Sequence, residues 1–183
     1  GGFDASAAVF RSTTDKGSRL VLVGGVYEVA REATEIEGLE LTARYTINPD
    51  LRFGGAYSHL EGRSDTDGDG ALDQELDGAN ISPDRLLLWG EVDHGDLSLR
   101  VQAQQLFARD FQGQVAENSF EGYGLIDAIG VWHAGFGDVS VGVQNLLGEP
   151  YVTYYSDVQR PGDNLSYYAG RGRTVTVGLT RRF

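Results

Sequence analysis

The 183-residue chain has no cysteine, no methionine, a single lysine (Lys16) and only four prolines. Without cysteine there is no disulfide framework, no thiolate metal site and no cysteine nucleophile. The chain opens on Gly1-Gly2-Phe3 and shows neither a basic segment nor an apolar leader core near its start. With no methionine besides, it is expected to be a portion of a longer polypeptide. No stretch approaches the roughly 18 consecutive apolar residues of a membrane-crossing helix. That excludes a helical span and leaves open a protein that crosses with strands, each needing only about 9–11 residues of alternating character. Cations are scarce: the net charge is -12. A phosphate backbone requires a basic face, so nucleic acid is excluded as a partner. The prolines, Pro49, Pro83, Pro150 and Pro161, all fall between apolar patterns. A β-protein must put them there, because proline cannot donate to a ladder.

What the sequence does have is a period of two. At the end, Val175, Val177, Leu179 and Phe183 alternate with Thr174, Thr176, Gly178, Thr180 and Arg182. Leu97, Leu99, Val101 and Ala103 alternate with Ser98, Arg100, Gln102 and Gln104. Leu39, Leu41, Ala43, Tyr45 and Ile47 repeat the pattern against Glu40, Thr42 and Arg44. These patterns predict an all-β, antiparallel fold of about nine strands, with ends uncertain by about 2–4 residues. The strands are expected near 3–13, 18–29, 34–47, 51–63, 84–93, 96–109, 122–134, 138–147 and 171–183. Lengths of about 11–14 residues exceed the globular mode of about 5–6 and match a tilted strand crossing a hydrocarbon layer. The connections alternate. Short turns are expected at 14–17, 48–50, 94–95 and 135–137, and other connections at 30–33, 64–83, 110–121 and 148–170. Short turns at one rim and mostly longer loops at the other is the layout of an outer-membrane barrel. Arg44, Arg52, Arg85, Arg100 and Glu40 are expected to face its lumen and pair there.

Several segments resemble motifs of one family. Gly122-Tyr123-Gly124-Leu125-Ile126-Asp127 resembles the Y-x-x-x-D strand opening of TonB-dependent receptors. Val143-Gln144-Asn145-Leu146-Leu147, followed by Tyr151, resembles their V-x-N-L segment. Tyr168-Ala169-Gly170-Arg171-Gly172-Arg173-Thr174 resembles the run from tyrosine to Gly-Arg that opens the last strand, and the chain ends on Phe183 as many outer-membrane barrels do. Arg181 stands where such ends usually carry a hydrophobic residue. Gly38-Leu39-Glu40 and Pro83-Asp84-Arg85 resemble two earlier strand starts. The resemblance implies that residues 1–183 are the C-terminal part of a barrel of about 22 strands. Taken alone, such a piece should form a curved open sheet. The implied function is uptake of a ferric siderophore across the bacterial outer membrane by a receptor that is not an enzyme and requires no cofactor. Its partners would be outer-membrane lipid, the ferric siderophore and the TonB complex, the last through a plug and TonB box upstream. The residues also leave open another outer-membrane barrel, such as a porin or an autotransporter translocator, and a soluble all-β calcium-dependent binding module.

Two loops carry candidate chemistry. Asp65-Thr66-Asp67-Gly68-Asp69-Gly70-Ala71-Leu72-Asp73 follows a calcium loop through its ninth position. Asp65, Asp67 and Asp69 would offer carboxylates, Ala71 its carbonyl and Asp73 the ninth-position oxygen. Leu76 stands where the bidentate glutamate belongs, between Glu75 and Asp77. The same residues suit a solvated acidic turn with no ion. In the last long loop, Tyr154, Tyr155 and Arg160 suit contact with a planar anionic chelate, rings for apolar area and guanidinium for charge. Tyr151 and Tyr168, next to strand ends, suit an aromatic belt. His59, His94 and His133 show no metal-ligand spacing.

Overall fold

A computed structural model describes residues 1–76, 78, 80–110, 119–158 and 169–181, excepting the side chains of Leu22, Tyr155 and Val158. Its strands are β1 (Gly2–Val23), β2 (Val26–Asn48), β3 (Leu51–Ser64), β4 (Gln74–Glu75), β5 (Arg85–His94), β6 (Leu97–Leu106), β7 (Arg109–Asp110), β8 (Ser119–Phe120), β9 (Tyr123–Ala134), β10 (Gly137–Gln144) and β11 (Thr174–Thr180). One short helix, α1, covers Tyr154–Val158. A nine-stranded sheet runs β1-β2-β3-β5-β6-β9-β10-β11, with the two-residue β4 added beside β3. β7 and β8 form a separate small pair. All pairings are antiparallel, and β1 and β11 are not joined, so the sheet is open.

The register turns the sequence alternation into two faces. Phe3 lies opposite Tyr45, Tyr45 opposite Phe53, Leu51 opposite Val92, and Val92 opposite Leu99. Val101 then lies opposite Ala128, Ala128 opposite Val143, and Val143 opposite Val175. Directly opposed residues share a face, so one apolar face crosses the whole sheet. It is not covered by protein: Val9 is 81 % exposed and Val177 70 %. A bare apolar face of this extent suits an apolar solvent around it. The buried hydrophobic residues are few among those described, and Leu76, Ile81, Leu106 and Phe120 all lie at one end of the strands, under the long loops.

Two of the expected turns are absent. Residues 14–17 form no turn; the β1–β2 register shifts between Thr14 and Gly17, an irregularity of the bulge type. Residues 30–33 lie inside β2. Three expected strands are therefore two, joined by Gly24-Gly25, whose φ values of 59° and 86° suit a tight hairpin of the primed type. Gly17 is glycine because the bulge brings the strands close: a Cβ there would lie 2.4 Å from the Thr34 hydroxyl. The 22 residues of β1 extend about 75 Å at roughly 3.4 Å per residue. A membrane crossing uses about half that number, and β3 ends opposite Thr34. The upper half of the hairpin thus stands beyond its neighbours. The other short turns fall as expected, at 49–50, 95–96 and 135–136, all on one rim. The hairpin tip and the described parts of the β3–β5, β6–β9 and β10–β11 connections lie on the other.

Candidate functional site

On the polar face the arginines are held in pairs. Arg52 donates to Glu91 (3.2 Å) and to Asp93 (2.6 Å). Arg100 donates to the other Glu91 oxygen and lies 5.0 Å over the Trp89 ring. Arg85 donates to Gln104 at 2.8 Å. Gln102 donates to Asp127 at 3.1 Å. These residues alternate with the apolar set along β3, β5, β6 and β9, and together they make a polar wall whose arginines are paired. The pairing expected of Arg52, Arg85 and Arg100 is found on this face, which Arg44 and Glu40 share.

Two residues from different motif segments prove to be one device. β10 ends because Asn145 turns left-handed, with φ of 51°, a region asparagine tolerates better than most residues. Its backbone N–H donates to Asp127 at 2.8 Å. Its side chain, 3 % exposed, donates to the carbonyls of Glu149 (2.8 Å) and Arg171 (3.3 Å) and accepts from the Glu149 N–H (2.8 Å). Asp127 and Asn145 thus tie the base of the last loop to the strand before it. The motif resemblance marked both residues; their contact, 18 positions apart, was not legible from spacing.

The loops on this rim interlock. Leu76 donates its N–H to Gly62 (2.8 Å), and Leu76 and Ile81 pack over Gly62, where a Cβ would lie 2.6 Å from Leu76. Asn80 reaches the projecting hairpin, accepting from the Leu20 N–H at 3.0 Å and donating to its carbonyl at 3.4 Å. On the same hairpin Arg19 makes a two-point bond to Glu32 (2.7 and 2.9 Å), with side chains 7 % and 14 % exposed. Arg109 donates to the Leu60 carbonyl at 2.7 Å. Phe120 packs edge-on against Tyr123 and Tyr154. Tyr151 lies against Tyr123, centroids 4.5 Å apart, and over Gly170.

The predicted site residues fall in two places. Asp65, Asp67 and Asp69 bring carboxylate oxygens within 4.8 Å of one another; Asp73 is outside that group. Asp65 accepts from the N–H of Gly68 (2.7 Å) and Gly70 (2.9 Å), and Asp69 from that of Ala71 (2.7 Å). Burial pushes the Asp65 carboxyl up, but the bonds from Gly70 and Gly68, with Asp67 and Asp69 adding to them, outweigh it and hold its pKa below the usual value. A hard cation could take three carboxylates here, which is a partial donor set. Tyr154 lies at the start of α1; its ring packs on Phe120 and its hydroxyl donates to the Ile81 carbonyl. Tyr155 is in the same helix, and Arg160 lies outside the described residues. Phe183, Asp77 and Tyr168 lie outside them too.

With long strands, a bare apolar face, a polar wall and short turns on one rim, the architecture is that of a barrel segment. Residues 1–146 match the family described as TonB dependent receptor-like, beta-barrel. The chain belongs to that family. Its members are outer-membrane receptors and transporters, which sets aside the porin, the autotransporter and the soluble calcium module. Among curated proteins no sequence match is found. The fold is similar to that of the copper transporter OprC (17 % identity, TM-score 0.77, covering 94 % of this chain). It is likewise similar to the FrpB iron transporter of Neisseria meningitidis (20 %, 0.76, 100 %) and the ferric citrate transporter FecA (19 %, 0.69, 96 %). In each case the chain spans 28 % of the other protein's length. At these identities the likeness is one of fold.

Proposed function

We propose that this chain supplies part of the wall and external vestibule of an outer-membrane receptor that imports a ferric siderophore. The observation that carries the reading is the joining, in a TonB-dependent receptor barrel, of a paired polar wall to interlocked loops on one rim. A polar wall suits the lumen of such a barrel. Loops locked together by Tyr154 and Ile81, by Asn80 and Leu20, and by Phe120 hold a preorganised mouth above it, which lowers the ordering cost of binding. Passage of the chelate would be driven by the TonB complex acting through residues upstream of this chain. The reading also places calcium on Asp65, Asp67 and Asp69, with the Ala71 carbonyl and Asp73 as further donors. Calorimetry on the full-length receptor that detects no calcium binding at millimolar levels would remove that part alone.

The test of the main reading is fractionation of the full-length gene product with a heat-shift gel, followed by radio-iron uptake from ferric chelates in cells with and without TonB. Outer-membrane location, a heat-modifiable band and TonB-dependent uptake are expected. A soluble product, or a barrel that takes up no ferric chelate, would overturn it.

A further inference from the structure

We infer that a strand of the polypeptide upstream of this chain pairs with β1 from Phe3 to Thr13, and that Asn80 closes the same edge above it, at Leu20. The inference rests on the barrel family and not on the import reading. The register shows which backbone groups of β1 are free. In an antiparallel pair, a residue that turns its N–H and C=O to one neighbour is flanked by residues that turn theirs to the other side. The Ala33 carbonyl accepts from the Asp65 N–H (3.0 Å), on the β3 side of β2. The odd-numbered residues of β2 therefore face β3 and the even-numbered ones face β1. Gly38, Glu40, Thr42 and Arg44 lie opposite Phe10, Ala8, Ser6 and Asp4. Between them, Phe3, Ala5, Ala7, Val9, Arg11 and Thr13 turn both groups to the side of β1 away from β2. Among the described residues no strand lies on that side.

Lipid and water place different demands on this edge. The side chains of Phe3 and Val9 lie exposed on the bare apolar face, so the lower edge stands in hydrocarbon. There no water can meet a bare N–H or C=O, and only another strand satisfies a whole row of them. At the next outward position the setting is aqueous, because Arg11 is exposed and ion-paired to Glu35 and Glu37. Beyond the bulge the alternation moves by one residue, since Thr14 lies opposite Thr34 and Gly17 opposite Glu32. Leu20, opposite Val29, thus turns its groups to the free side. Asn80 takes both: its Oδ1 accepts from the Leu20 N–H (3.0 Å) and its Nδ2 donates to the Leu20 carbonyl (3.4 Å). A primary amide carries the same donor and acceptor as a peptide, so Asn80 fills one position of a ladder and offers no backbone to continue it. A strand running on past Thr13 would meet the irregular backbone of the bulge and then groups already bonded. An edge blocked in this way is closed to strands of other chains as well. β3 ends opposite Thr34, so the upper hairpin has no strand on either side and is held instead from the β3–β5 connection.

The experiment is residue-resolved hydrogen exchange on the full-length receptor in detergent, native and Asn80→Ala, at the amides of Arg11, Thr13, Ser18, Leu20 and Leu22. All lie above the apolar band, so detergent does not shield them. Arg11 and Thr13 are expected to be protected by at least about 10³ in both proteins, as paired strand amides are. Ser18 and Leu22 are expected to exchange within about tenfold of an unpaired amide. Leu20 is expected to be protected in the native receptor and to exchange about fivefold faster or more in the alanine variant. Asn80→Asp, which keeps an oxygen for the Leu20 N–H, should hold the native rate within about threefold. Protection at Ser18, Leu20 and Leu22 that survives in the alanine variant would show a strand running past Asn80 and overturn the inference. So would rapid exchange at Arg11 and Thr13, which would leave the lower edge without a partner. Should the heat-shift band be lost in the variants, the native pattern alone decides, through the step in protection between Thr13 and Ser18. None of these outcomes depends on uptake, so the import reading is tested separately.

Discussion

Replacing Asn145 with alanine isolates the joint between β10 and the last loop. The substitution removes two side-chain hydrogen bonds of 2.8 Å and one of 3.3 Å, all within a pocket where Asn145 is 3 % exposed. At about 1 kcal/mol for each short bond and less for the long one, the loss is about 2–3 kcal/mol. Alanine must also hold a left-handed backbone that asparagine accepts more readily, adding about 1 kcal/mol. The total, about 3–4 kcal/mol, is local to the loop base, because the ladder of β10 with β9 and β11 is untouched. Hydrogen exchange on the full-length receptor in detergent reads it directly. The Glu149 amide, which donates to Asn145, should exchange about 10²–10³ faster, at 1.4 kcal/mol per decade. Asn145→Gly, which restores the backbone but not the bonds, should recover about a factor of five. Unchanged exchange at Glu149 in the alanine variant would refute the argument that this side chain holds the loop.

Glu32→Ala leaves the buried Arg19 guanidinium without its partner and should loosen the upper hairpin by about 3–5 kcal/mol, read as protease cleavage near its tip; Arg19→Met together with Glu32→Met should restore resistance. Gly54→Val sets a Cβ 2.5 Å from the Ala43 carbonyl and 2.7 Å from the Trp89 ring, and a ladder carbonyl cannot retreat. Its heat-shift temperature should fall by an amount reflecting at least about 1–3 kcal/mol, whereas Gly90→Ala, with open space around it, should not move. The acid loop depends on pH in a definite direction. Asp65 binds its proton less tightly folded than unfolded, so its contribution is fully present above its ordinary pKa of 3.8 and is lost as pH falls through the lower folded value. Protease sensitivity at 65–73 should therefore rise only in strong acid, and Asp65→Asn should give that sensitivity already at neutral pH. A loop equally resistant in native protein and variant would show that Asp65 does not anchor it.

The reading of strands from sequence worked where side chains alone decide. Alternation fixes which face each residue takes, and a pleated strand obeys it without help from distant residues. So β3, β5, β6, β9 and β10 lie close to their expected places, and the turns at 49–50, 95–96 and 135–136 separate them. The expectation failed at β1 and β2 because local turn chemistry competes with pairing. Asp15-Lys16-Gly17 reads as a turn, yet Gly17 serves a bulge that lets the ladder run on; Gly24-Gly25, flanked by valines, was the stronger hairpin signal and lay inside an expected strand.

By itself, then, the sequence determined the class, the two faces, the short-turn rim and the family that its motifs resemble, since these follow from periodicity and from residues a few positions apart. Only the tertiary structure decided what the loops do. Asn80 meets Leu20 across 60 positions and Tyr154 meets Ile81 across 73. No period or motif encodes contacts at such separation; they form because the register of the long strands delivers the loops to one rim, where their polar groups find one another. The same register turned Tyr154 toward Phe120 and Ile81.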